Sequence, residues 1–324
     1  MIERIAIHES DGVDPHRNLA IEQHLLETVE GGCCLLYLWQ NERTVVIGRN
    51  QNAWAECRTT QLIRDGGRLA RRLSGGGAVY HDLGNLNFTF LMHEEDYDLM
   101  RQLSVIRRAC ALCGVETEIS GRNDLLASGR KFSGNAFYHH EGRAYHHGTL
   151  LVDTDAEAMQ RYLSPSKAKL SAKGVESVRS RVVNLAALTP AISIDLLKTA
   201  MKKAFSEVYE LPLCAPPVID EARVSELTVH YADDAWLFGQ KLPFTLRCES
   251  RFSWGGVELM LSVDRGIVHD VQVYTDDMDP ETAPMLSAAL RACPFSLAAL
   301  SDAVNTNNVP HARDIIQMLT EQEI

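Results

Sequence analysis

Lys131 lies in the stretch GRNDLLASGRKFSGNA, flanked by Gly129 and Gly134 between strand-like segments and preceded on a turn by Asn123 and Asp124. Moving a carboxylate onto a nucleotide phosphate requires a fixed cation beside the carboxylate oxygen and the α-phosphate, where negative charge gathers in the transition state. A lysine framed in this way can supply that charge. Asp124 can hold a magnesium ion, which takes one or two carboxylates and completes its shell with phosphate oxygens. By residue type alone Lys131 reads equally as a solvated lysine on a strand edge.

A second stretch, RRLSGGGAVYHD from Arg71 to Asp82, runs three glycines into a β-branched strand. It lacks the Gly-Lys-Ser/Thr ending of a P-loop and the G-x-G-x-x-G spacing of a dinucleotide fold. What remains is a strand-turn-strand whose bare backbone amides, with Arg71, Arg72 and Ser74 beside them, can lie against a ligand. An ordinary glycine-rich hairpin is the alternative. A third stretch, KLSAKGVESVRSRVVNL at 169–185, reads as a cationic surface loop or as a flap over a polyphosphate, with Lys173, Arg179 and Arg181 as candidate contacts.

The elements that must position these residues follow from punctuation and period. Asp14 is a candidate N-cap with Pro15 at the first helical position, and the helix it opens stops at Gly31 and Gly32. CCLLYLWQ and TVVIG read as strands, WAECRTTQLIRDGG as a helix, and RLARRLS, AVYHD and NLNFTFLM as strands. YDLMRQLSVIRRACALCG is helical with Gly114 as its stop. LLAS, KFSGNAFYH and AYHHGTLLV read as strands, helices dominate from about Asp155 to Glu210, and a second strand-rich tract begins near Pro243. The pattern predicts an α+β domain followed by a small appended one.

The chain has 324 residues, 45% of them hydrophobic, which is enough for one large core and a smaller one. Its net charge of -11 argues against general nucleic-acid binding, so an anionic ligand must be met by a local basic site. The amino-terminal residues lack the apolar core of a signal peptide, and no run approaches the ~18 apolar residues of a membrane span. Eight cysteines without secreted-scaffold density read as reduced thiols in a cytoplasm. The pair in CALC, Cys110 and Cys113, closes a helix rather than opening one and reads as core. YHHEGRAYHHG gathers His139, His140, His146 and His147 around a turn, either as a metal site or as a polar hairpin.

RRLSGGGAVYHDLGNLNFTF, GRNDLL…GRKFSGNA and HHGTLL…KGVESVRSRVVNL, in this order, resemble the lipoate-protein ligase A family. LWQNERTVVIGRNQN upstream and FGQKLPFTLRCESRFSWGGVEL downstream match it too, and the resemblance runs from about residue 5 to about residue 300. It implies an α+β fold shared with biotin ligases and class II aminoacyl-tRNA synthetases: a mixed, largely antiparallel sheet with flanking helices, plus a small α+β C-terminal domain. The catalytic domain is expected over 1–242 and the accessory domain over 243–324.

The implied activity is ATP- and magnesium-dependent conversion of lipoate, or octanoate, to an acyl-adenylate. Transfer then follows to a lysine of lipoyl domains of 2-oxoacid dehydrogenase E2 subunits or of glycine-cleavage H protein, by a monomer. By position, the resemblance assigns Lys131 to both lipoate carboxylate and phosphate. It places Arg72, Gly77, Ala78, Val79, Tyr80, Asn123, Asp124, Lys173 and Arg179 on the nucleotide. The lipoate side comprises Trp39, Arg72, Ser74, Gly75, Gly76, Gly134 and His147. Tyr138 departs from the pattern, standing where well-known members carry a basic residue. Two alternatives share the fold: an octanoyl or lipoyl transferase fed by a carrier protein, and a lipoate-binding protein without turnover.

Overall fold

A computed structural model describes residues 1–120, 124–164, 182–239 and 246–321. The chain begins with β1 (Arg4–Glu9), α1 (Pro15–Thr28), β2 (Cys33–Trp39), β3 (Thr44–Ile47), α2 (Ala53–Glu56), α3 (Thr59–Arg64), β4 (Arg68–Arg71), β5 (Val79–His81), β6 (Asn85–His93) and α4 (Leu99–Leu112). It continues through β7 (Glu118–Ser120), β8 (Asp124–Ala127), β9 (Arg130–Ser133), β10 (Asn135–His140), β11 (Arg143–Leu151), α5 (Ala156–Tyr162), α6 (Ile194–Tyr209), α7 (Glu221–Ala232) and α8 (Asp234–Phe238). The C-terminal part holds β12 (Leu246–Arg251), β13 (Gly256–Asp264), β14 (Ile267–Thr275), α9 (Thr282–Leu290), α10 (Leu297–Thr306) and α11 (Ala312–Thr320).

A five-stranded sheet, ordered β1-β2-β6-β11-β10, forms the centre, and only β1 and β2 run parallel in it. Every residue of β2 is buried, which is why CCLLYLW reads as an unbroken apolar run. Cys33, Leu35, Tyr37 and Trp39 face α1 and α7, whereas Cys34, Leu36 and Leu38 face α4 and α6. The helices therefore pack on both faces. The α1 start is as predicted: the Asp14 carboxylate accepts from the backbone N–H groups of His16 and Arg17, and Pro15 needs no partner there.

Two three-stranded sheets complete the larger unit, β4-β3-β5 carrying the glycine loop and β7-β8-β9 carrying Lys131. The antiparallel β12-β13-β14 sheet and α9 to α11 enclose a separate apolar core. The architecture is the expected mixed, largely antiparallel α+β fold with a small C-terminal α+β domain. Two elements differ from expectation. WAECRTTQLIRDGG is not one helix, because Cys57 is extended with φ -134°, buried, and bridged to Leu163, which separates α2 from α3. Between α5 and α6 the described residues 182–193 hold only a short helical turn, Leu185–Ala187.

Candidate active site

A cavity of 370 Å³ opens where the central sheet meets the glycine loop. Trp39, Arg72, Gly76, Gly77, Ala78, Val79, Lys131, Gly134 and His147 line it, so nine of the positions singled out in the sequence come together. Sheet register orders them. Trp39 lies opposite Asn87, Asn87 opposite Thr149, and the Thr149 N–H donates to the Gly134 carbonyl next to β9. At about 4.8 Å per strand, Trp39 and Gly134 are roughly 14 Å apart. The Lys131 main chain is fixed by its carbonyl, which accepts from the Val183 N–H at 2.9 Å.

Both arginines of RRLSGGG turn inward. Arg71 donates to the carbonyls of Gly48, Arg49, Gln51, Trp236 and Leu237, tying the loop to α8. Arg72 lines the cavity, yet it donates to Gly75 O at 2.7 Å, Gly77 O at 2.8 Å, Ser74 Oγ at 3.0 Å and Val46 O at 3.3 Å. Burial pulls both guanidinium groups down to about 10, which leaves them charged at neutral pH. Arg72 thus braces the loop from behind while adding positive charge to the wall.

The glycines are required by different neighbours. A Cβ at Gly75 would sit 2.2 Å from the Asp277 carbonyl, so the bare backbone there admits the C-terminal domain, whereas the sequence assigned it to the lipoate side. Gly76 has φ +87°, a left-handed conformation that favours glycine, and its N–H donates to Asp277 O at 2.8 Å. Met278 follows and forms part of the cavity wall. The Asp277 carboxylate is itself held by Thr282 and His311.

Ser74, expected on the lipoate side, is fully buried beneath the loop and is not among the residues lining the cavity. Its Oγ lies 2.8 Å from His147 Nε2, and His147 Nδ1 lies 2.8 Å from Glu22. The spacing resembles a nucleophile-base-acid triad. Access decides otherwise: Ser74 is 0% exposed, lies outside the cavity lining, and its Oγ is enclosed between the Arg72 guanidinium that donates to it and the His147 ring, so no substrate atom reaches it. Thr89 also donates to Glu22, and Trp39 Nε1–H donates to Thr89 at 3.1 Å. The result is a hydrogen-bonded network that converges on the Glu22 carboxylate from both sides and links the glycine loop to the Trp39 wall. Glu22 could not be singled out from the sequence, since on an amphipathic helix it reads as a solvated carboxylate.

Strand alternation turns the Tyr80 side chain away from the cavity. Val79 and His81 line the cavity, and Tyr80 between them is buried on the opposite side against Tyr162. Asn123, Lys173, Arg179 and Arg181 lie outside the described residues, and of Asp124 only the backbone, at the start of β8, is described. The four histidines of the hairpin diverge: His146 packs on Phe88 and Phe137, His147 faces Glu22, His139 meets Glu94, and His140 lies beside Glu141. Among the described residues no three metal-ligating side chains converge. Cys110 and Cys113 are free and buried, and burial pushes the Cys110 thiol up to about 12, consistent with core packing. Tyr138 is buried against Tyr145.

A larger cavity of 690 Å³ lies between Gln51–Glu56 and the C-terminal sheet. Its arginines are matched by carboxylates, Arg247 to Glu258 and Arg251 to Asp276, and none of the chemistry-bearing positions line it. The smaller cavity is the candidate site.

His81 on that wall gives a pH prediction. Burial, with lesser contributions from Arg72 and His147, pulls its imidazole down to about 3. A histidine depressed on folding contributes stability that is complete above its unfolded value near 6.5 and drains away as pH falls toward 3. Between pH 7.5 and 5 the chain should lose about 2 kcal/mol more than a His81→Gln variant, read from urea midpoints. Parallel losses in the two proteins would contradict this.

The lipoyl protein ligase A/B catalytic domain family matches residues 14–206, and the bacterial lipoate protein ligase C-terminus family matches 241–324. A lipoate-protein ligase A of Blochmanniella pennsylvanica (strain BPEN) is 38% identical over 298 residues, spanning 89% of this chain and 88% of its own. The structure of P. falciparum LipL1 in complex with lipoate superposes with a TM-score of 0.85 at 26% identity, covering 98% of this chain and 99% of that one. A crystal structure of a lipoate-protein ligase A bound with ATP gives a TM-score of 0.61 at 25% identity, covering 74% of this chain and 99% of that one.

Proposed function

The chain belongs to the lipoyl protein ligase A/B family, and we propose that its 370 Å³ cavity carries out the activation of lipoate that precedes its transfer to protein. The chain is a ligase that uses ATP. Its first half-reaction joins a lipoate carboxylate oxygen to the α-phosphorus of ATP and releases pyrophosphate. In the second, the amine of an acceptor lysine takes the acyl group and AMP departs. The observation that carries this reading is the convergence of Lys131, charged Arg72 and a bare glycine backbone at one end of a cavity whose other wall is Trp39.

Lys131 sits where it can meet both the carboxylate and the α-phosphate, lowering the barrier where charge accumulates. The backbone of Gly76, Gly77, Ala78 and Val79 offers a close approach to the nucleotide, and Trp39 supplies a rigid apolar wall for the chain. Enclosure keeps water from the adenylate until the acceptor amine arrives. That amine attacks only when neutral. Magnesium fits best as a companion of the polyphosphate, since among the described residues no ready-made carboxylate cage exists and Asp124 at the start of β8 is the candidate ligand. When bound it neutralises phosphate charge.

As acceptors we propose lipoyl domains of E2 subunits and H protein, with the chain acting as a cytoplasmic monomer and its two units dividing at residues 242 and 243. No helix among the described residues is long and apolar enough to cross a membrane. The activation step is tested by exchange of labelled pyrophosphate into ATP. Exchange should require lipoate and magnesium. Exchange without lipoate, or none with it, would contradict the assignment.

A further inference from the structure

Glu22 is a buried carboxyl group on α1 that does not line the cavity. It is 2% exposed and stands over Thr89 of β6 and His147 of β11, which are register partners on the face of the sheet that carries Trp39. One oxygen serves both neighbours: Glu22 Oε1 accepts from Thr89 Oγ1 at 2.7 Å and lies 2.8 Å from His147 Nδ1. From there two arms part. Thr89 Oγ1 accepts from Trp39 Nε1 at 3.1 Å, while His147 Nε2 lies 2.8 Å from Ser74 Oγ, to which Arg72 Nε donates at 3.0 Å. Trp39 and Arg72, where the arms end, both line the cavity.

Stability alone gives no reason for a carboxylate at this position. Burying one is costly unless its oxygens are hydrogen-bonded, and well-packed apolar side chains of similar volume generally serve a core as well as a buried polar pair does. What an apolar residue cannot do is fix the rotation of an imidazole and of a hydroxyl. With His147 and Thr89 turned toward one shared acceptor, the Trp39 ring and the Ser74 end of the glycine loop are held from a single point.

We propose that Glu22 is a positioning residue for lipoate activation, one that sets two walls of the cavity through Thr89 and His147 without itself touching substrate. The inference rests on the activation reading above. Lys131 stands on β9, in a separate sheet, so the loss of Glu22 should act on substrate binding more than on the chemical step.

The test measures pyrophosphate exchange, calorimetric binding of lipoate and of MgATP, and urea midpoints for the wild type, Glu22→Leu, Glu22→Gln and Thr89→Val. Phe205→Leu, in the core on the opposite face of the sheet, controls for lost stability alone. Glu22→Leu should raise the KM for lipoate by roughly ten-fold or more and lower kcat by less than about three-fold. Glu22→Gln keeps an acceptor oxygen in place and should stay within about three-fold of the wild type in both. Thr89→Val cuts only the Trp39 arm, so it should weaken lipoate binding by roughly five-fold and leave MgATP binding unchanged. It carries the test if Glu22→Leu does not fold. Phe205→Leu should lose stability with its lipoate affinity intact. Wild-type lipoate affinity in Glu22→Leu or Thr89→Val, a Gln variant as impaired as the Leu variant, or an equal KM rise in Phe205→Leu would overturn the proposal and leave the ligase reading standing. No exchange and no lipoate binding by the wild type would overturn both.

Discussion

Replacing Lys131 with alanine is expected to lower lipoate-dependent pyrophosphate exchange by about 10²–10³-fold, or about 3–4 kcal/mol of transition-state stabilisation. The effect should fall on chemistry and not on folding. Lys131 is only partly buried, and its backbone carbonyl, which accepts from the Val183 N–H, is kept by alanine. Arginine in its place should recover little, because a planar fork does not put a compact point charge where a single ammonium stood. The check is kcat/KM for exchange beside a urea melt. A variant that keeps more than about a tenth of the activity would remove Lys131 from the chemistry.

The second large effect belongs to Arg72. Arg72→Met removes a buried guanidinium that holds Gly75 O, Gly77 O, Val46 O and Ser74 Oγ, leaving those acceptors inside the protein without their donor. The expected cost is about 3–5 kcal/mol of stability, accompanied by a loss of exchange activity of about 10²-fold as the loop leaves its place. Urea denaturation and exchange measured on the same preparation separate two accounts. Loss of both follows from the loop brace seen here. Loss of activity with unchanged stability would mean that Arg72 acts by direct contact with the ligand, as the sequence resemblance alone implies.

Legibility in the sequence tracked the range of the forces involved. Asp14 and Pro15 announce α1 because capping is decided within a turn, and CCLLYLW announces β2 because both faces of that strand are apolar. Lys131 and the glycine loop stood out through glycines packed around polar groups. The Tyr80 side chain turns away from the cavity that Val79 and His81 line, and that period-two alternation was legible in AVYHD.

Other features depend on contacts no local pattern records. Gly75 is bare because Asp277, some two hundred residues later, lies against it. Glu22 and His147 meet only when α1 is laid over β11, and both are buried there. Met278 reaches the cavity on the same hook of the C-terminal domain.

The measurement that bears most directly on the central claim is the intact mass of an apo lipoyl domain after incubation with the chain, lipoate and MgATP, run beside Lys131→Ala. The account predicts a gain of one lipoyl group on the acceptor that needs ATP and disappears in the variant. A gain that proceeds without ATP, or that survives the loss of Lys131, would contradict it.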